Sequence, residues 1–187
     1  DTVEAVRAML DKKVRLFMGM GGNIVSAMSD TEQVATGMHN VDLTVQISTK
    51  LNRSHLVTGR EALILPCLGR TEIDQQLSGE QFVTVENSMG VVHKSRGSLE
   101  PASTHLLSEP AIVTGIGAAC FGSEPFDWAG LLQDYDSIRD VIEQVIPDFQ
   151  DYNSRVRVDG GFYLPNGPRD GPFWDTKSGK ANFTVHG

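Results

Sequence analysis

Apolar residues recur at Val3, Val6, Met9 and Leu10, a spacing that predicts one buried helical face over residues 2–12, with Thr2 as N-cap. The period then changes. Residues 14–18 form a short, mostly apolar run, long enough for a buried strand. Gly19, Gly21 and Gly22 follow at once and mark a turn that needs unusual φ or close backbone approach. Ser29 and Glu32 show the capping-box pattern, which predicts a helix over residues 30–38 closed by the Gly37 to Asn40 region. Residues 41–48 are rich in β-branched side chains and read as a second strand. The polar stretch 50–59 reads as a loop with one helical turn. Residues 61–68 are almost continuously apolar, which predicts a third strand covered on both faces.

Further on the pattern differs. Residues 81–86 alternate cleanly, Ser88 to Gly90 form a turn, and residues 91–94 continue extended, as in a β-hairpin. Ser108 and Pro110 open a helix to about Phe121, rich in small residues. Asp127 caps a longer helix, with an apolar stripe from Trp128 and Tyr135 to Ile146 and Pro147 as its stop. Both aromatics read as core. The predicted fold class is α/β: an open, mostly parallel sheet with helices on both faces, a Rossmann-like three-layer domain, plus a short β-hairpin excursion. The domain spans residues 1–150. From 151 to 187 Gly, Pro, Asn and Asp accumulate, and the segment reads as a linker or extended arm, with a turn and a strand over residues 176–185.

Hydrophobic content of 40% and charged content of 21% are ordinary for a globular chain of 187 residues. The net charge of -8 argues against a nucleic-acid partner, which needs clustered Lys and Arg. Cys67 and Cys120 lie in apolar runs and read as buried free thiols, which suits a reducing, cytoplasmic setting. No apolar run approaches the ~20 residues that cross a bilayer. The chain starts without Met, inside an apparent helix, and stops just after an apparent strand. Both ends read as cuts within something larger.

Strand, glycine loop and helix start form a geometry that presents backbone N–H groups to an anion or nucleotide. The usual dinucleotide fingerprint is incomplete. Ile24 stands where the third glycine belongs, and the second strand ends on Ser48, Thr49 and Lys50 without an acid for a ribose hydroxyl. The segment 48–55 follows the carboxyl end of that strand, where open α/β sheets bind ligands. Lys50, Asn52, Arg53 and His55 supply donors for phosphate oxygens and base edges. Arg70 to Asp74 reads as a surface or interdomain salt-bridge cluster rather than an acid–base pair. His39, His93, His105 and His186 have no metal-ligand spacing, and Ser26 lacks the context of a hydrolase nucleophile.

The stretches GMGGNIVSAMSDTE, STKLNRSHLVTGREALILPCLGRTEID, QFVTVENSMGVVHKSRGSLEPAS and WDTKSGKANF resemble the alpha subunits of molybdopterin oxidoreductases, in the formate-dehydrogenase-like branch of the dimethyl-sulfoxide-reductase superfamily. The resemblance covers nearly the whole chain. Members are far longer and bind a bis(molybdopterin guanine dinucleotide) cofactor holding molybdenum, and many carry an iron–sulfur cluster near the N-terminus. The resemblance implies that this chain is their third domain, which holds one guanine dinucleotide arm, and that residues 151–187 lead toward a C-terminal domain. It assigns Gly21, Gly22, Asn23 and Ser26 to the loop that approaches the dinucleotide. Thr49, Lys50, Asn52, Arg53 and His55 fall in the next cofactor-facing loop. The family has commonly Pro before the Asp of the first loop; Ser29 stands there instead. The molybdenum ligand and cluster cysteines match nothing in the chain, so it is expected to be inactive alone, its partners being the other domains of the same polypeptide. The rival readings are a non-catalytic α/β nucleotide-binding module and an interaction module.

Overall fold

The computed structural model describes residues 2–171 and 174–183. Helix α1 (Thr2–Leu10) buries Val6 and Met9, as its spacing predicts. Strand β1 (Leu16–Met20) runs two residues further than the apolar run suggests and takes in Gly19. A short helix, α2 (Ile24–Ala27), follows the glycines, and α3 (Thr31–His39) comes next. The cap of α3 is Asp30 rather than Ser29: the Asp30 carboxylate accepts the Gln33 N–H at 3.2 Å. A negative group at the positive end of a helix serves better than a neutral hydroxyl.

Strands β2 (Leu43–Ser48) and β3 (Glu61–Pro66) complete a parallel sheet in the order β1-β2-β3. The register places Met18, Val45 and Leu63 in one row, and Met20, Ile47 and Leu65 in the next row on the same face. Between layers the sheet has two cores. On one face Phe17 packs with Val6, Met9, Val25, Val34 and Met38 from α1 to α3. On the other, Val45, Ile47 and Cys67 pack with Ile112 of α4 (Glu109–Phe121). Ser108 caps α4 by accepting the Ala111 N–H, with Pro110 in the first turn. This is the expected α/β class, with helices on both faces of an open sheet.

The third strand departs from expectation. Its apolar run predicts cover on both faces, yet Leu63 is 50% and Ile64 46% exposed. β3 is the edge strand, and α4 lies over the centre of the sheet instead.

Two small ladders follow. β4 (Gln75–Gln76) pairs with β5 (Gly79–Glu80), and β6 (Val83–Glu86) pairs with β7 (Val91–Ser95) as the predicted hairpin. Gly97 lies so close to Glu72 that a Cβ there would overlap the Glu72 carbonyl.

The long helix predicted after Asp127 is two: α5 (Trp128–Gln133) and α6 (Tyr135–Val145). Asp134 between them is extended, and its side chain caps α6 by accepting the Asp136 N–H at 2.9 Å. The Tyr135 N–H goes to Gln81 Oε1 instead of to a helical carbonyl. Tyr135 is buried, and Trp128 lies over Gly117.

The expected arm also contains structure. α7 (Tyr152–Arg157) and β8 (Phe162–Tyr163) bury Tyr152, Val156 and Phe162 against Val92 of the hairpin, and β8 pairs with β7. Composition concealed this because the buried residues are spaced among glycines and charges. α8 (Gly167–Asp170) ends on Gly171. Residues 176–183 form a turn and no strand; Thr184, Val185 and His186 lie outside the described residues. Cys67 is buried, but Cys120 is exposed on α4, contrary to its apolar context.

Candidate functional site

Parallel strands place their carboxyl ends along one crest, so the loops after β1 and β2 are neighbours there. Gly21 begins the first loop with φ +70°, a conformation suited to glycine, and donates its N–H to the Ile47 carbonyl at 2.8 Å. That bond fastens the loop to the carboxyl end of β2.

The second loop is tied to the first by side chains. Asn52 donates from Nδ2 to the Gly22 carbonyl at 3.1 Å. Ser54, fully buried, donates from Oγ to Asn23 Oδ1 at 3.0 Å and accepts the Val25 N–H at 3.2 Å. Within the loop, Asn52 Oδ1 accepts the Ser54 N–H, and His55 Nδ1 accepts the Asn52 N–H, each at 2.9 Å. The two bonds form a reciprocal cap on a short 3₁₀ turn, Arg53–His55. Because Nδ1 accepts, the neutral ring carries its proton on Nε2. That nitrogen is buried and has no partner among the described residues.

The remaining predicted residues face outward. Ser26, Thr49, Lys50 and Arg53 are exposed, as are Gly21 and Gly22. Neither Lys50 nor Arg53 pairs with a carboxylate among the described residues. The N–H groups of Gly22 and Asn23 make no backbone hydrogen bond there either. The crest thus carries unpaired cations and open donors over a rigid base.

Two neighbours were not singled out from sequence. Glu109, in the first turn of α4, places Oε1 3.5 Å from where a Gly21 Cβ would lie. Ser54 is the buried clasp between the loops. Neither has a local signature: only the fold brings residues so distant in sequence together.

Among the described residues the Arg70 to Asp74 cluster forms hydrogen bonds and not the expected salt bridges. Arg70 donates from Nη2 to Ser95 Oγ at 3.0 Å. Glu72 accepts the N–H groups of Gly69 and Ala102, each at 2.6 Å, and these bonds hold its carboxyl below the usual glutamate range. Asp74 accepts the Tyr135 hydroxyl at 2.5 Å, while Ser108 Oγ lies 2.7 Å from the same oxygen. Burial pushes the Tyr135 phenol up, and its bond to Asp74 adds to the shift. Asp74 thus holds the Tyr135 phenol, and Glu72 gathers two loop amides.

No protein-family model matches the chain. Over all 187 residues it is 52% identical to an uncharacterized oxidoreductase of Mycobacterium tuberculosis and to one of Mycobacterium bovis, which is 100% of this chain and 24% of each relative. Over 181 residues, 97% of the chain, it is 48% identical to protein YdeP of Escherichia coli, again 24% of that protein. The chain therefore spans about a quarter of the length of the curated relatives it matches. No helix among the described residues is long and apolar enough to cross a membrane.

Proposed function

We propose that the chain is an α/β segment of a longer oxidoreductase, and that its crest holds one guanine dinucleotide arm of a molybdopterin cofactor. The observation that carries this reading is the clasp between residues 21–23 and 52–54. It fixes two loops side by side at the carboxyl ends of β1 and β2 and leaves Lys50 and Arg53 free above them. Relatives named as oxidoreductases support the enzyme class; the sequence resemblance supports the cofactor.

The donor set suits such a group. Lys50 and Arg53 complement the diphosphate, Arg53 with a planar fork that can take two oxygens. The open amides of Gly22 and Asn23, with the Ser26 and Thr49 hydroxyls, offer further hydrogen bonds. Guanine presents adjacent N–H donors on its base-pairing edge, and the Glu109 carboxylate beside Gly21 is a matching acceptor. Asn52 and His55 brace the loop. The cofactor, when bound, supplies the redox chemistry; this chain binds and orients it on loops that need little reorganisation. The longer polypeptide supplies the other domains that enclose it.

Denaturing the purified full-length polypeptide and measuring released GMP and molybdenum tests this directly. Both are expected, with GMP in at least equal amount to the metal. A preparation that is active as an oxidoreductase yet contains neither would overturn the reading.

A further inference from the structure

The parallel sheet of β1, β2 and β3 stops at three strands, with β3 at one edge. The Glu61 N–H donates to the Asp42 carbonyl at 3.0 Å, toward β2. Alternation along a parallel ladder gives Leu63 and Leu65 the same orientation. The N–H groups of Ala62 and Ile64 therefore point away from the sheet, and Pro66 has none. The next outward amide does find a partner: Leu68 donates to the Leu107 carbonyl at 2.9 Å, beside a parallel bridge between Cys67 and Leu107. One rung of a fourth strand position is occupied at the crest end. From Glu61 to Ile64 the edge is bare among the described residues.

That bare edge is apolar. Leu63 and Ile64 are about half exposed, on opposite faces of the sheet. In the same row as Leu63, Met18 of β1 is 40% exposed, while Val45 between them is buried. A free edge strand is ordinarily blunted by charge, proline or a bulge, because its open hydrogen bonds recruit other strands. Here the blunting residues, Glu61 and Pro66, stand only at the ends. Parallel sheets, moreover, are generally buried.

We infer that the outer edge of β3 is completed by an extended segment of the same polypeptide lying outside these 187 residues, paired along residues 61–65. Length identifies the occupant. Relatives match this chain from end to end and are about four times as long. A segment in the same polypeptide also reaches the edge at high effective concentration. The inference rests on the reading of the chain as part of a longer polypeptide and needs no cofactor.

Hydrogen exchange on the full-length polypeptide, resolved to single amides and repeated after tenfold dilution, tests it. Ala62 and Ile64 are expected to be protected as strongly as Leu63 and Leu65 at both concentrations. Rapid exchange at Ala62 and Ile64, with Leu63 and Leu65 still protected, would show a bare edge and overturn it. Protection lost on dilution would give the edge to a second copy, which also overturns it. GMP in the same preparation is measured separately, so failure of the cofactor reading and failure of this one give different results.

Discussion

The Ser54 hydroxyl has a partner on each side, the Asn23 amide oxygen and the Val25 N–H, and water reaches none of it. Removing one member of such a buried set leaves its partners unsatisfied, which costs about 1–3 kcal/mol. The variant Ser54→Ala is therefore expected to lose that much unfolding free energy, read as a lower urea midpoint with the slope of the transition unchanged. An unchanged midpoint would mean that the two loops are held by other contacts. Asn52 was legible as a donor in the loop after β2, and Asn23 through the family resemblance. Sequence reading passed over Ser54, since a serine in a polar loop has no signature until its neighbours are known. Glu109 was passed over too, because its place beside Gly21 depends on how α4 packs across the sheet.

Helices and strands set by local chemistry were legible: α1 from its spacing, α4 from Ser108 and Pro110, the hairpin from its alternation. Those decided by distant partners were not. The stripe after Asp127 breaks at Asp134 because Gln81 captures the Tyr135 N–H. Glu72 shows the same kind of control over a connection. Its carboxylate gathers the N–H groups of Gly69 and Ala102, joining the turn after β3 to the segment before α4. Its folded-state pKa lies below the ordinary value of 4.5. The unfolded chain therefore takes up this proton first as pH falls. The stabilisation is complete above the ordinary value and is lost as pH drops through it to the depressed folded value. A urea midpoint followed from about pH 6 to pH 3 should fall more steeply in the native chain than in Glu72→Gln. Equal slopes would show that the two bonds contribute nothing to acid stability.

The molecule as a whole joins a three-layer α/β unit to a smaller assembly in which the hairpin, α6, α7 and β8 share a core. The first part follows from strand order and apolar runs. The second is hidden by a composition typical of linkers, because few apolar residues suffice when Tyr152, Phe149 and Phe162 pack edge to face. An apolar run likewise reports that a strand belongs in a sheet but not whether its cover comes from this chain, which is why the exposure of β3 was unforeseen. The crest follows from topology: parallel strands β1 and β2 put both loops at one end, and the sequence already supplied their cations. The most direct measurement is GMP retained per polypeptide by the full-length protein with Arg53→Ala, compared with the unaltered protein after the same purification. A guanine arm seated on this crest predicts a clear fall in retained GMP while the urea midpoint stays unchanged, since the Arg53 side chain is exposed and without a carboxylate partner. Full retention of GMP by Arg53→Ala, and by the double variant Lys50→Ala, Arg53→Ala, would place the guanine arm elsewhere and contradict the assignment.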